Sequence, residues 1–293
     1  MISILYNNIR RVVFLKTLKT FLLMFVMTII LMFFGNILGG QRGMTIALLF
    51  SFGMNFFSYW FSDKMVLSMY KAQPLTQDSK VYQIVRRLAR NADLPMPKVY
   101  IINQSQPNAF ATGRNPKHAA VAVTRGLLDI LDDNELSGVI AHELGHVNNR
   151  DILIGTIAAS MAGAITYLAH MARWAAIFGR SDNDRDENPF ALIATMILAP
   201  IAAMLVQMAI SRTREYKADA YGAKVSGNPL YLARALRKLE MSSKRIPMSA
   251  NPATSHMFIV NPLSAEKMAS LFSTHPSTAM RIAKLEEMSE NGL

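Results

Sequence analysis

The chain has 293 residues, of which 51% are hydrophobic and 17% charged, with a net charge of +11 and no cysteine. So apolar a composition argues against a wholly water-soluble fold and predicts membrane spans joined to a water-facing part, with length for about two folding units. The missing cysteines exclude disulfides and thiolate metal sites. The positive charge flanks apolar stretches rather than forming Lys/Arg runs interleaved with aromatics, which argues against nucleic acid as a partner.

Residues 20–38 carry no charge and are long enough to cross about 30 Å of hydrocarbon. Arg10, Arg11, Lys16 and Lys19 precede them, and the long apolar core without a small-residue cleavage pattern predicts an anchor rather than a removed signal peptide. Residues 43–61 form a second stretch, ending in Tyr59, Trp60 and Phe61 as an interfacial aromatic belt. Only Arg42 is basic between the two. The positive-inside rule therefore expects a transmembrane hairpin over 1–62, with a cytoplasmic amino terminus and a return to that side at Asp63-Lys64.

Residues 63–151 mix charges of both signs and read as water-facing, with β-branched strands over Lys98–Ile102 and Ala119–Thr124. A helix start follows. Asp132 is placed to cap it, Glu135 to reach back, and Leu131 and Leu136 to staple the entry. Leu136, Val139, Ile140 and Val147 continue at helical spacing. Inside this helix lies His142-Glu143-Leu144-Gly145-His146. Positions i and i+4 share a face, so two imidazoles can share a zinc ion while Glu143 stands beside its open position.

Two apolar stretches, 152–172 and 189–211, predict a second hairpin over 152–211, with Arg173, Arg180 and Arg185 in the connection among four acidic residues. Length and polarity favour spans. Gly155, Gly163 and Pro200 leave a buried or half-inserted hairpin as the alternative. The remainder, 212–293, reads as water-facing and helical. Asn228-Pro229 starts a helix continued by Leu232, Ala235, Leu236 and Leu239, and 245–262, with three prolines, reads as a loop. His118, His170 and His256 are read as ordinary polar residues, and the 20 methionines as apolar filler.

Two histidines leave a catalytic zinc one protein ligand short. Glu215 is the best candidate, with Asp219 one turn on and facing the same way, able to accept the ring N–H of a liganding histidine. In isolation the two carboxylates read as surface partners of Arg214 and Lys217. The apolar hairpin returns them to the membrane face that carries the motif helix, which favours ligation.

The motif, with Glu215 and Asp219 after an apolar hairpin, resembles the M48 family of zinc peptidases. Asn108-Ala109-Phe110-Ala111-Thr112-Gly113 and Thr274-His275-Pro276 with Arg281 resemble further family segments, and the amino-terminal hairpin matches as well. The resemblance implies an α+β fold: a mainly helical gluzincin-type protease domain with a small β-sheet, joined to transmembrane helices. It implies one Zn²⁺ per chain, a multi-pass protein of the bacterial cytoplasmic (inner) membrane, and an active site on the cytoplasmic face. Misfolded or damaged membrane proteins and unfolded polypeptides would be its substrates. It also implies that His275 and Arg281 stabilise the oxyanion and that Asn108 binds substrate backbone. Read as residues alone, His275 could cap a helix, and Arg281 could be a surface residue of a helix packed through Ile282 and Leu285.

The expected mechanism has His142, His146 and Glu215 hold the ion and Glu143 take and return the proton. The strand containing Val121 is expected to accept an extended substrate. Two rivals remain: an intramembrane-cleaving zinc protease, and a membrane scaffold without turnover. The polar residues flanking the motif argue against the first, and the intact Glu143 argues against the second.

Overall fold

The computed structural model describes residues 2–159, 161–162, 212–245, 259 and 276–292. The first element, α1 (Ile2–Met69), is helical throughout but reverses at Gly40, where φ is +57°. Glycine adopts that conformation without a Cβ penalty. The two arms pair antiparallel about this point. Gly35 and Gly43 meet backbone to backbone with no room for a Cβ, Asn55 Nδ2 donates to Thr28 Oγ1 (3.0 Å), and Phe21 stacks on Tyr59. The two arms thus form a helical hairpin. Its return arm, Gly40–Met69, is long and apolar enough to cross a membrane, whereas Thr20–Phe33 is a shorter apolar helix. The return arm also outruns Asp63-Lys64, because Val66 and Leu67 are buried against the sheet that follows.

That sheet has four strands in the order β1-β2-β4-β3: β1 (Gln73–Pro74), β2 (Lys98–Ile102), β3 (Ala109–Gly113) and β4 (Ala119–Thr124). β2 and β4 are parallel, and β3 lies antiparallel to β4 with Ala111 opposite Val121. β2 and β4 were legible from β-branched residues. β3 was not, since Ala-Phe-Ala-Thr-Gly lacks that signature. Every residue of β4 is buried because the sheet is covered on both faces. Ala119, Val121 and Val123 face the helical core, while Ala120 and Ala122 meet Val66, Leu67, Phe110 and Ala159.

The helical layer comprises α2 (Lys80–Asn91), α3 (Arg125–Ile130), α4 (Asp133–Asn148), α5 (Arg212–Ser226), α6 (Pro229–Arg245) and α7 (Thr278–Glu290). The Asn228 side chain accepts from Leu230 N–H (2.8 Å), and Leu232, Ala235, Leu236 and Leu239 are buried as their spacing predicts. The central α4 packs against α2, α5 and α6, in a helical core rather than among lipid-facing spans. After it, the helical segment 152–159 buries Leu153 and Ile157 against Leu23, Met24 and Met27 of α1. The rest of the second expected hairpin lies outside the described residues.

α4 and α5 touch through small residues. Gly145 faces Ala218, and Gly222 faces the backbone of His142. A Cβ at Gly222 would stand 2.8 Å from His142 N, so Gly222→Ala has to push the helices apart. We expect this variant to lose about 1–3 kcal/mol by overpacking, read as a lower thermal midpoint, and to copurify with less metal by elemental analysis.

Candidate metal centre

The motif helix begins where its capping residues dictate. Asp132 Oδ1 accepts from Asn134 N–H (2.8 Å) and Glu135 N–H (2.9 Å), and Glu135 Oε2 accepts from Asp132 N–H (3.0 Å). This capping box satisfies donors that would otherwise have no partner within the helix. Lys238 of α6 also donates to Glu135 (2.6 Å), which ties the cap to the neighbouring helix.

One turn apart, His142 and His146 bring their Nε2 atoms to 3.2 Å. Glu215 of α5 completes the group, with 3.6 Å from Oε2 to His142 Nε2 and 3.6 Å from Oε1 to His146 Nε2. Ligand atoms about 2.0–2.1 Å from a tetrahedral ion stand about 3.3 Å from one another. The three donors therefore match one shared metal ion. Among the described residues, this is the only group of three such side chains at metal-holding spacing.

Each histidine has its own carboxylate. Asp219, one turn beyond Glu215, lies 2.8 Å from His142 Nδ1. A hydrogen bond there fixes the tautomer and leaves Nε2 to face the metal. Arg281 of α7, fully buried, grips Asp219 with both Nε (2.9 Å) and an Nη atom (2.6 Å), and donates its other Nη to Ile259 O (2.9 Å). Burial would raise the Asp219 pKa, but the Arg281 guanidinium and the hydrogen bond to His142 hold it below the usual carboxylate range.

The carboxylate beside His146 is Asp151, a residue the sequence pattern does not single out. Asp151 N–H bonds to His146 O (2.9 Å) and Arg150 N–H to Val147 O (3.1 Å), with Arg150 at φ +57°. This is a Schellman ending with arginine where glycine is usual. It folds the chain back so that Asp151 Oδ2 lies 3.8 Å from His146 Nδ1. A helix stop followed immediately by an aspartate is the only sequence signal for it.

Glu143 is buried beside the metal group, and its Oε2 accepts from Ala111 N–H (2.8 Å) on β3. Burial raises its pKa, opposed by His142 and His146. The expectation that the strand containing Val121 receives a substrate is corrected here. β4 is interior, with Val121 opposite Val99 on one side and Ala111 on the other, so its backbone is already paired. β3, buried along its length, is the edge strand on this side of the sheet, with no second strand beside it among the described residues.

The other expected site residues sit as follows. The Asn108 side chain accepts from Ile259 N–H (3.3 Å), so Ile259 is held by Asn108 through its N–H and by Arg281 through its C=O. Arg281 is directed at Asp219 and Ile259 and is not a surface residue. His275 and His256, like the loop 245–262 apart from Arg245 and Ile259, lie outside the described residues.

A sheet edge laid beside a helix with two histidines, a glutamate between them and a carboxylate from a second helix defines a metallopeptidase. The family model for peptidase family M48 matches residues 75–289, and the chain belongs to that family. It is 59% identical to a protease HtpX homolog of Desulfatibacillum aliphaticivorans over 92% of this chain and 88% of the relative. Identity is 58% with the homolog from Desulforapulum autotrophicum, covering 94% and 91%, and 56% with that from Thermodesulfovibrio yellowstonii, covering 94% and 99%. A crystal structure of S. mikatae Ste24p aligns with TM-score 0.49 at 19% identity, covering 94% of this chain and 67% of that one. The chain is thus a membrane-associated metalloprotease, a hydrolase of peptide bonds.

In the metal-free protein burial lowers the His146 pKa, but Glu215 and Asp151 outweigh it and push the value up to about 9. Coordination requires the neutral ring. Metal uptake at pH 7.5 should therefore release about one proton from this residue, and affinity should rise with pH until about 9. Calorimetry in buffers of different ionisation enthalpy measures both. Asp219→Asn and Asp151→Asn should each weaken zinc binding about 10- to 100-fold in chelator competition. Asp219→Asn should also destabilise the fold by about 3–5 kcal/mol, because it strips the buried Arg281 of its charge partner.

Proposed function

We propose that the protein is a zinc endopeptidase of the bacterial cytoplasmic membrane that hydrolyses misfolded or damaged membrane proteins at the cytoplasmic face. The observation that carries this reading is the tetrahedral spacing of His142, His146 and Glu215 beside a buried glutamate that is bonded to the edge strand β3. His142, His146 and Glu215 would hold the ion. Bound zinc supplies a Lewis acid that polarises a carbonyl and brings the pKa of a coordinated water to about 7.

This chain's residues do the rest. Glu143, made more basic by burial, takes the proton of the attacking water and returns it to the leaving amine. The outward backbone of β3, at Ala109 and the Ala111 carbonyl, binds the peptide as an added strand, holding it over the metal group with little regard for side-chain identity. Such tolerance suits unfolded chains. Asp219 and Asp151 orient the two histidines, and Arg281 fixes Asp219. Arg281 also keeps the oxyanion role that the resemblance implies, since its bonds to Asp219 and Ile259 leave N–H groups beside His142 and Glu215. His275 and Asn108 keep the roles that the family resemblance implies, as donor to the oxyanion and contact for substrate backbone. Aromatic and basic groups at the end of the hairpin support a bilayer as partner, and the basic residues beside the spans support a cytoplasmic active site.

Glu143→Gln should retain zinc by elemental analysis yet cleave an unfolded protein in detergent about 10²–10⁴-fold more slowly. Turnover near wild type would remove Glu143 as the base. Because the chain has no native cysteine, Asp184→Cys gives a single label site for topology. Modification by an impermeant maleimide from outside the cell is the expected result for a second spanning hairpin, and protection there would refute it.

A further inference from the structure

Two ring contacts fix how the substrate edge is oriented toward the membrane. Tyr70, just past the end of α1, packs against Phe110 at 5.4 Å, and the Arg114 guanidinium lies 4.6 Å over the Trp60 ring. Trp60 to Tyr70 spans about 15 Å of helix, and Phe110 to Arg114 about 13 Å of strand. β3 therefore runs antiparallel to the last turns of α1 and heads toward the apolar hairpin.

The membrane boundary lies near the far end of this strand. Arg114 on Trp60, and Lys64 on Phe61 at 5.5 Å, are the aromatic and basic pairs found at headgroup level. Beyond them toward Gly40, the exposed residues include Phe50, Phe52, Phe56 and Phe57. Ala111, whose N–H marks the reacting position at Glu143, is three residues before Arg114, so it stands about 10 Å above this boundary.

The outward groups of β3 are not equally occupied along the strand. Its outward backbone groups belong to Ala109, Ala111 and Gly113. Gly113 N–H is already taken by Thr156 Oγ1 (3.3 Å), which also contacts Thr112 Oγ1 (3.1 Å) and donates to Ile152 O (2.5 Å). The segment 152–159 thus closes the membrane end, and with Ala111 N–H held by Glu143 the outward groups left for pairing are Ala111 C=O and those of Ala109, on the side away from the bilayer. An added strand pairs more stably when antiparallel. Its direction then opposes β3: its amino-terminal part arrives from the membrane and its carboxy-terminal part leaves along Ala109 into water.

From this geometry, and resting on the endopeptidase reading above, we infer that the protease selects substrates by polarity, cutting segments that follow a membrane span with the span amino-terminal to the scissile bond. The connection from bilayer to Ala111 needs at least about three extended residues. A segment that precedes a span has to pass the site and double back, which a short connection does not permit.

The test co-reconstitutes the full-length zinc-loaded enzyme with paired substrates in phosphatidylethanolamine/phosphatidylglycerol vesicles. Each pair carries one unfolded segment, placed after the span in one member and before it in the other, with a connection of about six residues, or about 20 Å extended. Only molecules whose segment faces the protease domain, counted by added trypsin, are scored. The span-first member should be cut at least about tenfold faster, equivalent to about 1.4 kcal/mol. Mass spectrometry should place its cuts more than about three residues beyond the span. With a connection several times longer, the two rates should converge. Equal rates at the short connection, or faster cutting of the span-last member, would overturn the polarity rule while leaving the endopeptidase reading intact. If the free segment in detergent is not cut either, the endopeptidase reading itself fails, and the inference with it.

Discussion

Everything at this site depends on two helices meeting without side chains between them. Gly145 and Ala218, and Gly222 with the His142 backbone, let α4 and α5 approach until their main chains touch. At that separation a glutamate on α5 reaches the face of α4 that carries both imidazoles, and an aspartate one turn on reaches the far side of one ring. With larger residues at these positions, the same ligands would stand too far apart to share an ion. The metal centre is thus a consequence of packing, and its tolerance to error is the tolerance of a backbone contact.

That closeness gathers charge in a dry place. Glu143, Glu215, Asp219 and Asp151 are all buried within reach of His142 and His146. Buried carboxylates persist only when matched by positive charge or by hydrogen bonds. Arg281 supplies part of the match. Burial would lower its pKa, but Asp219 above all, then Glu215 and Glu143, raise it. On the other side of the centre burial lowers the Arg214 pKa, with Asp151 and Glu215 opposing the fall. A divalent cation held by the three ligands suits the remaining surplus of negative charge. Stability and metal binding are therefore coupled through the same few residues.

The helical hairpin of α1 takes part in the fold of the catalytic part. The last turns of α1 cover one face of the sheet, and the start of the segment after α4 packs on both α1 and β4. β3 is consequently fixed in height and direction relative to the aromatic belt, which is how the anchor acquires a say in what reaches the site. Thr156, at the root of the second apolar stretch, ties that stretch to the strand edge.

What the sequence determined by itself was local. The i, i+4 histidines, the Asp132–Glu135 capping box, the Asn228-Pro229 helix start, the strands β2 and β4 and the apolar hairpin all follow from spacing and residue type within about one element, where physical rules act over a few residues. Glu215 and Asp219 were reachable because helical spacing puts them on one face and the apolar stretches between them and the motif have a legible length. Only the tertiary structure decided the rest. β3 became the edge strand because β4 is paired on both sides, although its Ala-Phe-Ala-Thr-Gly sequence carries little strand signal. Asp151 came back to His146 through a left-handed arginine, and Arg281 turned inward to hold Asp219 rather than outward to water. Such placements depend on which elements meet in space. A chain's short-range pattern constrains that meeting but does not encode it.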